Sequence, residues 1–369
     1  MPRARQPLPE SFALHRVPGL FDVVRPPLQG LLSLWQRIDV SGRETMPEAG
    51  PLLVLANHVT WFDALTLMAA MRRPIRFLRP RGEADPDRDL EEVLGIFPEG
   101  ERTWDGRLLP LVPGVGRQVR DLDLPVVTAR IVNGYRQDPR WAARPRHGRV
   151  KVELDPPRRL AEEAPEAIEA DLARRLSVDP EAGSGWPVRG RHLAEGVENV
   201  LFRCPSCGMV DGLVGEGDGL RCQSCRAAWT MDPGNLLHPS DGGEVLHLPA
   251  LLAELRASVA RGEAPDSSLL AREGVLLRSE PMRLLDLSGG ETKEIARGRL
   301  ELTPGRLRVE GGPWQLSLDL VDSIHVVERR RLLVRSGAHL YEVVLPRESV
   351  VKWQWVGTAW QAPAPRVAA

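Results

Sequence analysis

Leu52-Leu53-Val54-Leu55-Ala56-Asn57-His58-Val59-Thr60-Trp61-Phe62-Asp63 is the stretch that decides the fold of the first half of this chain. The apolar run behind Pro51 reads as a buried strand, and it stops at an Asn-His pair. Five residues beyond His58 stands Asp63, after which Leu65, Leu67, Met68 and Met71 continue with helical spacing. A strand therefore delivers a histidine to its end, and a carboxylate opens the helix that follows. A carboxylate behind an imidazole fixes its tautomer and stabilises the imidazolium, so the pair suits a general base and its orienter. The spacing alone is weak, because the chain has 8 His and 50 acidic residues. A histidine at a strand end is also commonly a structural hydrogen-bonder.

Working outward, Leu28–Ile38 fits a short helix with Leu31, Leu32, Leu34, Trp35 and Ile38 on one side. It reads as a helix packed on the domain or as an interfacial helix with Trp35 and Arg37 at a membrane surface. Downstream, strands are expected at 75–78, 93–97, 124–132 and 149–154, and helices at 62–72, 87–92, 116–122 and 158–176. Strands alternating with helices in short units predict an α/β layered fold.

Three motifs occur in order. Asn57-His58-Val59-Thr60-Trp61-Phe62-Asp63 resembles the first motif of the glycerolipid acyltransferases, the family of lysophosphatidic acid and glycerol-3-phosphate acyltransferases. Phe97-Pro98-Glu99-Gly100-Glu101-Arg102-Thr103 resembles that family's Phe-Pro-Glu-Gly motif, and Leu124-Pro125-Val126-Val127 its proline-containing strand. The lead-in, with Val40, Gly42, Glu44 and Pro47 before Gly50-Pro51, also fits, and the resemblance covers roughly residues 28–178.

The resemblance implies acyl transfer from acyl-CoA or acyl-carrier protein to a hydroxyl of a lysophospholipid-like acceptor, in phospholipid synthesis. His58 would be the base and Asp63 its orienter, while Asn57, Glu99, Gly100, Arg102 and Pro125 would bind substrate, with Glu99, Gly100 and Arg102 shaping the acceptor pocket. Arg102 suits a bidentate phosphate contact, or else a surface salt bridge. No Gly-x-Ser-x-Gly elbow occurs, which disfavours a serine hydrolase. Two departures fall on acceptor recognition. The family's Gly-to-Arg motif between His58 and Phe97 is not recognisable, although Arg79, Arg81 and Arg88 lie in that shortened interval. The usual Phe-Lys-x-Gly reads Leu111-Val112-Pro113-Gly114, without the lysine. A non-catalytic scaffold or lipid-binding protein on a degenerate acyltransferase fold is the alternative.

The four cysteines fall in two close pairs, Cys204-x2-Cys207 and Cys222-x2-Cys225, fourteen residues apart. This is zinc-ribbon spacing, and with four thiolates and no open position the expected Zn2+ is structural. Acidic and basic residues balance between Arg203 and Arg226, which argues against a nucleic-acid ribbon. The formal net charge of −1 likewise disfavours a general nucleic-acid binder.

Beyond the ribbon, helices are expected at 192–201 and 244–261. A hairpin turns over Pro304-Gly305, further strands follow at 323–328, 331–335 and 339–345, and a helix at 349–360 closes the chain. Strands closed by a Trp-bearing helix look pleckstrin-homology-like, by pattern analogy. Arg329-Arg330-Arg331, and Arg140–Arg149 with Trp141, read either as solvated surface or as contacts for anionic headgroups.

The expected organisation is a flexible 1–19, an acyltransferase domain over 20–180, a linker and helix over 181–200, a ribbon over 201–240, and a C-terminal helix with a β-rich domain over 241–369. No secretory leader and no apolar run of membrane-spanning length is visible, so a cytoplasmic protein is expected, peripheral on the inner face of the membrane.

Overall fold

The stretch after Pro51 becomes strand β2 (Leu52–Ala56), all five residues of which are buried. Alternate side chains of a strand point to opposite faces. Leu52, Val54 and Ala56 accordingly join one core with Leu67, Ala70 and Met71 of the following helix segment. Leu53 and Leu55 join a second core with Val115, Val119, Ile168 and Leu172. An apolar run without alternation thus marks a strand covered on both faces, the usual state of a central parallel strand. Each fully buried Leu or Val contributes roughly 1.5–3 kcal/mol of transfer free energy.

A computed structural model gives the architecture, and it describes residues 36–78, 93–182, 185–289, 291–346 and 348–361, with Pro27, Gly30 and Leu32 ahead of them. The chain divides into two units, 1–140 with 144–191, and 141–143 with 192–369. In the first unit β1 (Gln36–Ser41), β2, β3 (Ile75–Leu78), β4 (Val93–Ile96), β5 (Val126–Val132) and β6 (Gly148–Leu154) form one sheet in the order β1-β6-β5-β2-β4-β3. Strands β5, β2, β4 and β3 run parallel to one another, β6 runs antiparallel to β5, and β1 runs parallel to β6. Helix Asp63–Ala70 covers one face, and helices Val115–Leu122 and Pro165–Leu176 the other. The result is a mixed α/β fold. Gly95 in β4 is required by closeness, since a Cβ there would lie 2.7 Å from the Phe77 ring and from Ile75 Cγ2.

Three expected elements differ. The helix over Leu28–Ile38 does not reach its predicted end, because Gln36–Ser41 is strand β1. Ile38 and Val40 pack on the core and Asp39 pairs with Arg149 across the strands, so the two-residue period prevails there. Leu31, Leu34 and Trp35 lie outside the described residues, as do 1–19, the helix over 87–92, and Arg79, Arg81 and Arg88. The helix expected from Arg158 begins at Pro165; Arg158 instead exchanges two backbone hydrogen bonds with Val126. In place of a helix over 192–201 there is a single 3-10 turn, Val197–Asn199. It is introduced by Gly196 at φ +96°, where a Cβ would strike the Trp141 carbonyl oxygen.

The second unit is mostly antiparallel sheet. Strands β7 to β11, between Leu213 and His247, form a meander around the cysteine pairs. Helix Leu248–Ala260 follows, and the Pro304-Gly305 hairpin lies within a four-stranded sheet. A five-stranded sheet contains strands Ser323–Glu328, Arg331–Ser336 and His339–Val344. The closing helix Val350–Gln361 lies on this sheet so closely that a Cβ on Gly357 would sit 2.5 Å from Ile324 Cδ1. Among the described residues no helix is long and apolar enough to cross a membrane.

Candidate active site and cysteine cluster

Strand β2 ends at Ala56, and the next two residues are fixed by different partners. Asn57 turns inward. Its Nδ2 donates to the Ile131 carbonyl at 3.2 Å and its Oδ1 accepts the Ile131 N–H at 2.7 Å, clamping the end of β2 to β5. That amide is engaged within the protein rather than offered to a pocket, against the expectation that Asn57 binds substrate.

His58 turns toward solvent, with 23% of its side chain exposed. Its Nδ1 lies 2.8 Å from Asp63 Oδ2. That oxygen also accepts the N–H groups of Val59 (2.6 Å) and Thr60 (2.8 Å), and Oδ1 accepts the Thr60 hydroxyl at 2.6 Å. Asp63 has no exposed surface and is the first residue of its helix, where a negative charge is favoured by the helix dipole. An acceptor-only carboxylate on Nδ1 assigns the proton to Nδ1 and leaves the Nε2 lone pair for chemistry.

The Phe97–Thr103 loop surrounds the same histidine. The Phe97 ring stacks on the imidazole at 4.2 Å and 17°, and is backed by Phe77 at 5.4 Å and 2°. Glu99 accepts the His58 N–H on Oε1 at 2.6 Å and the Leu109 N–H on Oε2 at 2.7 Å. Burial pushes the Glu99 carboxyl up to about 8, against the pull of these two N–H donors, with Asp63 and Asp105 adding repulsion. Gly100 makes the turn at φ +74°, and a Cβ there would meet Val112 at 2.8 Å. Thr103 donates its N–H to the His58 carbonyl at 3.0 Å.

Arg102 is buried rather than on a surface. Its Nη2 lies 3.6 Å from Asp138 Oδ2 and donates to the Asp138 carbonyl at 3.3 Å. Its guanidinium sits 5.6 Å from the ring of Trp61, which is 77% exposed. Arg140 is held likewise, by Glu101 at 3.0 Å and over the Trp104 ring at 4.1 Å, and burial lowers its pKa while Glu101 opposes the change.

Pro125 stands at the other end of the strand. Its carbonyl accepts the Leu53 N–H at 2.8 Å, which places it at the start of β2. At about 3.3 Å per residue, that is roughly 16 Å from His58.

The sequence reading missed Phe97's stacking, the Thr60 contact and Asp138. Thr60 carries a local signal, a hydroxyl three residues before a helix-opening Asp. Asp138 carries none, because its partners Trp61 and Arg102 are brought to it only by the fold.

In the second unit Cys204, Cys207, Cys222 and Cys225 place their Sγ atoms within 4.8 Å of one another. Cys204–Cys225 and Cys207–Cys222 are each separated by 3.8 Å. Four sulfurs at about 2.3 Å from a tetrahedral zinc ion stand about 3.8 Å apart, so the cluster fits that ion and is far too open for disulfides. Burial pushes the Cys204 thiol up to about 12 against the pull of the Cys207 and Ser206 N–H groups, whereas at Cys222 the N–H groups of Cys225 and Ser224 help to outweigh burial and bring the thiol down to about 7. The four-cysteine cluster is thus a group able to hold a metal.

Residues 37–81 match the family described as Acyltransferase, a span containing His58 and Asp63. No curated protein matches the chain. Among solved structures, the 1-acyl-sn-glycerophosphate (LPA) acyltransferase PlsC from Thermotoga maritima is similar at 18% identity. That match covers 44% of this chain and 82% of that one, with a TM-score of 0.35. The motifs in order and the family match over 37–81 identify an acyltransferase-family segment in this chain, with the His58–Asp63 pair inside it.

Proposed function

We propose that this protein transfers a fatty acyl group from a thioester, acyl-CoA or acyl-carrier protein, to a hydroxyl of a lysophospholipid-like acceptor. The observation that carries the reading is the buried Asp63 carboxylate on His58 Nδ1 within the matched segment. His58 Nε2 takes the acceptor's hydroxyl proton as that oxygen attacks the thioester carbonyl. The tetrahedral oxyanion collapses with loss of the thiolate, which takes the proton back from the imidazolium, leaving an ester and a free thiol. The acceptor is itself the nucleophile, so no acyl-enzyme is required, and holding the two substrates together supplies much of the acceleration.

The fit of the cysteine cluster supports a structural Zn2+ that holds the meander of the second unit; with all four positions thiolate, it supplies folding free energy. In keeping with thiolates rather than disulfides, the protein would work in a reducing cytoplasm, peripherally at the inner face of the membrane. The pleckstrin-homology-like reading of the C-terminal strands and helix rests on pattern alone and would give lipid or protein contact. Of the Arg329–Arg331 run, Arg329 donates to the Ala142 carbonyl and Arg331 pairs with Glu342 at 3.4 Å, which leaves Arg330 for such a contact.

The engagement of Arg102 by Asp138 favours a second reading, a scaffold that has given up catalysis. Incubating the protein with acyl-CoA or acylated carrier protein and a panel of lysophospholipids and other lipid alcohols, with mass spectrometry of the products, separates the two. A new ester supports the enzyme; none across the panel, with either donor, supports the scaffold.

A further inference from the structure

We propose that the Phe97–Thr103 loop acts as a clamp that positions the base, with Glu99 a positioning residue for His58 rather than an acceptor ligand. In function this rests on the acyl-transfer reading; the clamp itself rests on geometry. Both peptide groups of His58 are taken by this loop, the N–H by Glu99 Oε1 at 2.6 Å and the carbonyl by the Thr103 N–H at 3.0 Å. The imidazole is held on a third side by Phe97 at 4.2 Å and on a fourth by Asp63 at 2.8 Å.

Both Glu99 oxygens are already engaged by main-chain N–H groups. Oε2 is engaged by the Leu109 N–H at 2.7 Å, and the residue is only 5% exposed. The loop is itself fixed, by the turn bond from Gly100 N–H to the Phe97 carbonyl (3.1 Å) and by the Val112 N–H on the Pro98 carbonyl (2.8 Å). The clamp engages every polar main-chain atom of His58 and one ring nitrogen, leaving Nε2 for the acceptor's proton. A base must hold its reacting atom in near-attack geometry, and a displacement of about 1 Å costs on the order of 100-fold in rate.

The test is Glu99→Gln, which keeps one acceptor oxygen and sets an amide N–H2 against a main-chain N–H. A clamp predicts that kcat falls roughly 10- to 100-fold while the acceptor KM stays within about twofold. Hydrogen exchange at the His58 amide should quicken by about tenfold or more, a readout that needs no turnover. Phe97→Leu, which removes the stacked ring and keeps an apolar side chain, should give the same kinetic split if Glu99→Gln does not fold. An increase in acceptor KM with kcat preserved would make Glu99 an acceptor ligand and overturn the proposal. So would unchanged exchange at His58. If the wild type turned over no acyl donor, the acyl-transfer reading would fail, and exchange alone would still decide the clamp.

Discussion

Replacing Asp63 by Asn separates chemistry from folding at this site. Asp63 Oδ2 accepts three hydrogen bonds at 2.6–2.8 Å, from His58 Nδ1, Val59 N and Thr60 N, in a position with no exposed surface. An Asn carbonyl can occupy the Oδ2 position and keep those three donors, while its N–H2 meets the Thr60 hydroxyl, which can accept. Packing is preserved, and the negative charge beside the imidazolium is lost. Two unit charges about 4 Å apart at an effective dielectric constant of about 20 attract by roughly 4 kcal/mol, which is about three decades in rate. We expect kcat to fall about 10²- to 10⁴-fold with thermal stability close to wild type. Asp63→Ala, by contrast, strands the buried N–H groups of Val59 and Thr60 at about 1–3 kcal/mol each, so it should unfold readily as well. The assay is thiol release from acyl-CoA in the presence of acceptor, paired with thermal unfolding of each variant. Asp63→Asn with activity within about threefold of wild type would refute the role given to the carboxylate.

Three further perturbations address the parts around this pair. Glu99, held up to about 8 by burial against an ordinary 4.5, keeps a proton in the folded state that the unfolded chain gives up. Stability should therefore be greatest below about pH 4.5 and decline by about 1.4 kcal/mol per pH unit up to about 8, relative to Glu99→Gln; parallel curves would contradict it. Purified protein should carry one zinc per chain through Cys204, Cys207, Cys222 and Cys225, and Cys204→Ser should lose it. Stripping the metal should cost about 4 kcal/mol relative to free zinc at a thousand times Kd, and equal metal content in the variant would count against the site. Lys352, 1% exposed, pairs with Glu348 and Asp211. Lys352→Ala should lose roughly 3–5 kcal/mol in denaturant unfolding by leaving the Glu348 carboxylate buried without its cation, whereas a loss under about 1 kcal/mol would show that the triad is worth little.

What could be read from the sequence was set by the range of the interactions. Strand β2 was plain because burial on both faces produces an unbroken apolar run, and the Pro304-Gly305 hairpin because turn chemistry is local. The cysteine pairs were equally plain, since each knuckle is built within four residues. Gln36–Ile38, the first half of β1, was misread as helical because Leu31, Leu32 and Leu34 precede it, and only the pairing of β1 with β6 reveals a two-residue period. The roles of the Phe-Pro-Glu-Gly segment were beyond a linear reading for the same reason. Glu99 and Phe97 act on a histidine 41 and 39 positions earlier, and Asp138 reaches Arg102 only through the fold.

The proposed acyl transfer requires His58 as its base. The most direct measurement compares rates of acyl-CoA-dependent ester formation by wild type and His58→Ala, with an acceptor the wild type uses, at matched folded concentration. A loss of at least about 10³-fold in kcat with the fold retained is expected. Turnover in His58→Ala within about tenfold of wild type would contradict it.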